Sequence, residues 1–261
     1  MFELSTDIVL VLTAAAFIAG FIDSIAGGGG LITIPALLLA GVPPVESLGT
    51  NKLQSLFGSG SATISYAAKG HVDIRKQLPW AAVAFVGSVA GALLATVLPG
   101  DILRVVMPIL LVAIALYFAF KPNMDDLDRS ERISPFLFGM TVVPAIGFYD
   151  GVFGPGTGSF FMLAFVALAG YGVLKATAHT KFLNFASNLG GLVAFAFVGA
   201  VHWKIGLLMG AAQFLGARLG AHMAMRSGAK LIKPLLVCTC VALAIKLLID
   251  PTNPLRVMVG F

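Results

Sequence analysis

The sequence predicts an all-α protein: a polytopic transmembrane bundle of about eight to ten helical segments in two sequence-related repeats, the second inverted relative to the first. Three observations predict it. The 261 residues are 58% hydrophobic and only 11% charged, with a mean hydropathy of +0.96, whereas a soluble domain is about 25% charged. Apolar runs recur at about 18 residues or more, enough to cross a bilayer as a helix. The chain also repeats itself at half its length. Strands are excluded because an open sheet cannot satisfy its backbone in lipid.

The elements follow in order. The first run, residues 8–26, comes after a stretch (MFELSTD) without Lys or Arg, so it reads as an uncleaved helix and not as a secretory signal peptide. Four glycines at 27–30 interrupt the apolar pattern, and a short segment, 31–40, follows. Runs at 48–68, 80–98 and 103–120 complete a first half, residues 1–120. Residues 121–134 (KPNMDDLDRSERIS) form the only polar linker, short and mixed in charge, and read as a surface loop. The second half, 135–261, has a run at 136–153, a GPGTG break at 154–158 and a short segment at 160–169. Runs at 173–199, 205–225 and 235–249 close the chain. Cys238 and Cys240, in the last run, read as packing cysteines, since one intervening residue suits neither a disulfide nor a metal pair.

The repeat is visible residue by residue. GFIDSIAGGGGL (20–31) matches GFYDGVFGPGTG (147–158) at an offset of 127, placing Gly20 on Gly147, Asp23 on Asp150 and Gly27 on Gly154. GTNKLQSLFGSGSA (49–62) matches AHTKFLNFASNLGG (178–191) at an offset of 129, placing Lys52 on Lys181. The same offset carries Gly70, Gly87 and Gly91 onto Gly199, Gly216 and Gly220. Repeated halves with broken apolar segments are a common plan of membrane transporters.

Basic residues orient the chain. They gather at Lys69, Arg75 and Lys76, at Lys121, Arg129 and Arg132, and at Arg226, Lys230 and Lys233. The N-terminal stretch and the turns at 41–46 and 201–204 carry almost none. By the positive-inside rule the basic loops are cytoplasmic. They share one side only if segments 31–40 and 160–169 count as crossings, which gives each half an odd number and inverts the second. Both termini are then outside. A ten-residue helix covers only about 15 Å of a roughly 30 Å core, so the glycine ends of these segments must lie within the bilayer, buried or lining a cavity. The net charge of +5 belongs to these loops, and no basic face with interleaved aromatics suggests nucleic acid.

Three sets of residues carry candidate chemistry. Gly27, Gly28, Gly29 and Gly30, with Gly154, Gly156 and Thr157, mark breaks that each precede a half-length helix. Such a helix aims free N–H groups and its positive dipole end at a cavity, which suits an anion; the alternative is that glycine serves only close helix packing. Lys52, Ser55 and Ser59 fall at i, i+3 and i+7, one helix face, and Lys181, Asn184 and Asn188 repeat the spacing, with Asn51 and His179 alongside. A lysine at bilayer depth faces a cavity or a partner, or else snorkels to the interface from a helix end. On the first reading Lys52 and Lys181 hold the anion together with the glycine-break N–H groups, and the Ser and Asn residues orient it. Asp23 and Asp150 are candidates for proton coupling or for ion pairing with a lysine, with a helix-end cap as the structural alternative. Arg218, which has Val89 as its counterpart, either balances an anion or belongs to the inner surface beside Arg226. No P-loop, HExxH, GxSxG or metal-ligand histidine spacing is present, so neither enzyme chemistry nor a metal or other cofactor is expected.

The strings GFIDSIAGGGGLITIPALLLAGVPPVESLGTNKLQ, GFYDGVFGPGTGSFF and KATAHTKFLNFASNLGGL resemble the TauE/SafE sulfite exporter family, also called the toluene sulfonate uptake permease family, and its YfcA-like subgroup of membrane transporters. The resemblance covers nearly the whole chain. It implies a bacterial inner-membrane protein with duplicated halves that moves sulfur-containing anions such as sulfite, sulfoacetate or sulfonates. Together the residues and the resemblance lead to a secondary transporter of small anions working by alternating access, with a small anion and the lipid bilayer as partners and homo-oligomerisation open. The competing readings are an anion channel and a non-transporting membrane scaffold or sensor.

Overall fold

A computed structural model describes residues 6–97, 116 and 125–228, with isolated positions between 230 and 245. The expected runs at 103–120 and 235–249 therefore lie almost wholly outside the described residues. Among the described residues every regular element is helical: α1 (Thr6–Ala26), α2 (Gly30–Leu39), α3 (Pro44–Ala68), α4 (Ile74–Ala95), α5 (Pro135–Val152), α6 (Thr157–Ala167), α7 (Val173–Phe197) and α8 (Trp203–Ser227).

Local chemistry sets the helix starts. Pro44 opens α3, where a missing N–H costs nothing. The Asp73 carboxylate accepts the N–H groups of Arg75 and Lys76 at 3.0 and 3.2 Å, so α4 begins six residues before the apolar run expected at 80. Asp128 and Asp126 accept the Gly172 and Leu174 N–H groups, both at 2.9 Å, at the start of α7. A π-helical turn at Phe138–Val142 interrupts α5, which the sequence did not reveal. α1, α4 and α5 are long and apolar enough to cross a membrane on length and composition alone. α3, α7 and α8 are 25 residues each, but α3 and α7 turn a polar face inward, which dilutes their hydropathy.

Glycine-to-carbonyl packing fixes helix directions. Gly216 and Gly220 of α8 lie against the carbonyls of Phe17 and Phe21 in α1, so these two helices run the same way. Gly87 and Gly91 of α4 lie against the carbonyls of Pro144 and Phe148 in α5 in the same register. α3 runs with α8, since Leu53 meets Gly206, Phe57 meets Gly210 and Ser61 bonds the Phe214 carbonyl at 2.8 Å. α7 runs with α4, since Gln77 Nε2 bonds the His179 carbonyl at 3.0 Å and Phe85 meets Gly190. α3 and α7 pass antiparallel, with Gly49 against Phe195 and Gly60 against Phe185. Thus α1, α3 and α8 point one way and α4, α5 and α7 the other.

The two short helices do not cross the bundle alone. Leu37 and Val42, at the end of α2, pack with Leu12 and Ala16 of α1 and with Met209, so α2 returns to the end where α1 began. Phe165, late in α6, packs against Phe138 at the start of α5, ring centroids 4.9 Å apart. Each pair is a re-entrant hairpin whose tip lies inside the bundle. Two half crossings or two full ones give the same parity, so the side assignment of the basic loops is unaffected. Those loops meet at one end: Arg129 bonds the Gly170 carbonyl, and Asp126 lies against Gly172 and Gly228. Cys238 is exposed, so it is not an interior packing residue; its neighbour Cys240 lies outside the described residues.

Candidate anion site at the hairpin tips

The tips of the two hairpins meet backbone to backbone. Gly27 has φ +84°, open to glycine, and a Cβ there would lie 2.5 Å from the Ser159 nitrogen and 3.0 Å from the Gly158 Cα. Ser159 Oγ donates to the Ala26 carbonyl at 3.1 Å and ties the tips together. Gly154 (φ +88°) and Gly156 (φ +84°) make the matching turn in the second hairpin. Helices α2 and α6 therefore both begin at the centre of the bundle, and their positive dipole ends converge. The N–H groups of Gly30 and Gly158 make no hydrogen bond among the described residues.

Between the tips lies a polar cavity of about 10 Å³, room for about one water molecule. Its walls contain Gly28, Gly29, Gly30, Asn51 and Ser55 on one side, and Gly154, Gly156, Thr157, Asn184 and Asn188 on the other, with Asp23 and Asp150 between. Its groups are held by one another. Asn51 Oδ1 accepts from Thr33 Oγ1 at 2.7 Å and from Gln54 Nε2 at 3.0 Å. Asn188 Nδ2 donates to the Asn184 carbonyl at 2.7 Å.

The lysines stand behind this wall, not in it. Lys52 is buried and pairs with Asp150 Oδ1 at 2.8 Å while donating to the Asp150 carbonyl. Lys181, equally buried, lies 3.5 Å from Asp23 Oδ2 and donates to the Asp23 carbonyl. Each ammonium so caps the C-terminal end of a broken helix, α5 or α1, where a cation suits the dipole. Asp23 Oδ1 also accepts the Gly29 N–H at 3.0 Å, and Thr157 Oγ1 lies 2.7 Å from Asp150 Oδ1. The broken helices divide the work: lysines cover their carbonyl ends, and their N–H ends face the cavity. Of the two roles sequence allowed the aspartates beyond a cap, ion pairing is the one this geometry displays.

Besides the two lysines, four expected site residues fall elsewhere. Gly27 is consumed in the tip contact. Ser59 bonds the Ser55 carbonyl of its own helix and does not line the cavity, although its repeat counterpart Asn188 does. His179 lines a separate cavity of about 550 Å³ at the basic end with Lys175, Tyr171 and Trp80; two residues from Lys181 is about 200° around a helix, so the two cannot share a face. Arg218 is exposed beside Lys69 and His222 in a third cavity, facing away from the Gly216–Gly220 seam for the same reason. Conversely, sequence reasoning missed Thr33, which anchors Asn51, and Gly158; the latter could have been read from the GPGTG string.

Comparison with known proteins gives a consistent result. The family model for "Sulfite exporter TauE/SafE" matches residues 12–247. A probable membrane transporter protein of Sinorhizobium sp is 65% identical over the whole of both chains. The probable membrane transporter protein YfcA of Escherichia coli is 47% identical, covering 96% of this chain and 93% of its own. A probable membrane transporter protein of Haemophilus influenzae is 45% identical over 95% of this chain and 97% of its own. No solved structure matches.

Proposed function

The chain belongs to the sulfite exporter TauE/SafE family, a family of membrane transporters, and from that premise we propose that it is a secondary transporter of small sulfur-containing anions in a bacterial inner membrane. The convergence of the α2 and α6 N-termini on one buried polar cavity carries this reading. Two helix starts supply unpaired N–H groups and positive dipole ends, the arrangement that binds oxyanions without a dedicated cation. Asn51, Asn184 and Ser55 provide neutral polar groups to orient the ligand.

Alternating access is supported by the helix directions. Elements matched by the sequence offsets, α1 with α5, α3 with α7 and α4 with α8, run oppositely, and each hairpin enters from its own end. Rocking one hairpin against the other opens the centre to one end at a time. A cavity of about 10 Å³ is too small for sulfite, so the conformation described is a closed one, and a permanently open channel is less well supported. The test is a panel of sulfite, thiosulfate, sulfoacetate, taurine and simple carboxylates. Sulfur oxyanions should raise the melting temperature of purified protein and enter proteoliposomes saturably. Stabilisation by none of them points to a scaffold or sensor.

A further inference from the structure

Resting on that reading, we propose that Asp150 is a proton-carrying group of the transporter, and that it takes up a proton on Oδ2 when an anion enters the cavity. The geometry separates the two lysine–aspartate pairs. Both Asp23 oxygens are used, Oδ1 by the Gly29 N–H and Oδ2 by Lys181. Asp150 Oδ1 is used twice, by Lys52 and Thr157, but Asp150 Oδ2 is buried without a hydrogen-bond partner although the residue lines the polar cavity. An unpaired buried carboxylate oxygen is uncommon and calls for a cause. A proton site at the anion cavity is such a cause.

Charge balance gives the coupling. Lys52, Lys181, Asp23 and Asp150 sum to zero around the cavity. An anion entering this buried place adds an uncompensated charge, which a low-dielectric interior opposes. A proton on Asp150 removes one negative charge, leaves the Lys52 ammonium free of its counter-ion and lets it balance one charge of the anion. The proton is taken from solvent with the anion and released when the anion leaves. The ionisable groups facing Asp150 from its surroundings are Lys52 on α3, Asp23 on α1 and Lys181 on α7; Tyr149 adjoins it on α5. α6 has no ionisable side chain, and those of α4 lie at the far end of that helix, Arg75 and Lys76.

Sulfoacetate is a suitable probe, since its sulfonate and carboxylate both stay ionised near neutral pH and any proton moved is then carried by the protein. Infrared difference spectra of the purified protein on adding sulfoacetate should show a new protonated-carboxyl band, absent in Asp150→Asn and kept in Asp23→Asn. In proteoliposomes with a trapped pH indicator, uptake should acidify the lumen by roughly one proton per anion. The ratio should fall to near zero in Asp150→Asn and recover in Asp150→Glu, whatever rate each variant retains. Uptake without acidification, or a carboxylate that stays ionised throughout, overturns the proton role and leaves the anion site standing. If no anion of the panel binds or is taken up, the site itself fails, and this proposal with it.

Discussion

Lys52 and Asp150, 98 positions apart in sequence, are joined twice: the ammonium meets both the Asp150 carboxylate and the Asp150 backbone carbonyl. Lys181 and Asp23 repeat the arrangement with the halves exchanged. Each half so supplies the lysine that holds the other half's broken helix. Breaking a buried pair from one side strands a charge, at a typical cost of about 3–5 kcal/mol. Lys52→Gln should therefore destabilise the protein by that order, and Asp150→Asn in the same chain should restore much of the loss, whereas Asp23→Asn should not. Melting temperatures of the unaltered protein, the single variant and the two double variants check this; equal rescue by either asparagine would contradict the crosswise pairing.

The tip contact predicts an unusual sensitivity to one methyl group. Gly27→Ala forces a left-handed conformation, costing about 1–2 kcal/mol, and drives a Cβ into the Gly158–Ser159 backbone, costing about 1–3 kcal/mol more. Gly70→Ala is the control, since it also has positive φ (+76°) but nothing within 4 Å of an added Cβ. Gly27→Ala should lower stability clearly more than Gly70→Ala. Similar melting points for both would remove the close approach from the account.

Much of this was legible in the sequence, for identifiable reasons. Glycine runs repeated at offset 127 fix the hairpin tips, because few other residues allow such backbone. Lys52 over Lys181, each trailing the same polar face, marks two inward helices. The partners of those lysines were not legible: Asp23 and Asp150 were seen, but their pairing across 158 and 98 positions depends on how the halves interlock. His179 lines a different cavity from the hairpin tips, and helical geometry alone puts it opposite Lys181. The π-turn in α5 and the early start of α4 arise from local hydrogen bonding that apolar run lengths do not report.

Topology is testable by side-specific labelling. α1 begins at the end holding Gly41–Val42 and Met209, while Lys76 and Asp128 lie at the basic end. In a variant with Cys238 and Cys240 replaced, single cysteines at Asp7 and Lys204 should react with an impermeant maleimide from outside the cell. Cysteines at Lys76 and Asp128 should react only after the membrane is opened. Reaction of all four from one side would contradict the proposed orientation.

Asp128 gives a pH signature outside the membrane-spanning helices. Partial burial opposes its charge, but the Gly172 N–H and the Lys175 ammonium more than offset this and hold its carboxyl below the ordinary value of 3.8. The stability it contributes is thus present above about pH 4 and is lost as pH falls through its folded-state value. Its side chain is half exposed, so the contribution is screened to about 0.5–1 kcal/mol. Asp128→Asn should lower the melting point at pH 6, and the difference should shrink steadily as pH falls below 3.8.

The central claim is that the anion sits between the starts of α2 and α6. Selenite, close to sulfite in shape and charge, scatters X-rays anomalously and can be located directly in crystals of the protein. The expected result is a selenium peak bounded by Gly30, Asn51, Gly158 and Asn184, with the hairpin tips drawn apart to admit it. A peak at the Lys175–Tyr171 cavity instead, or none at the tips under conditions that saturate uptake, would contradict the assignment of the site.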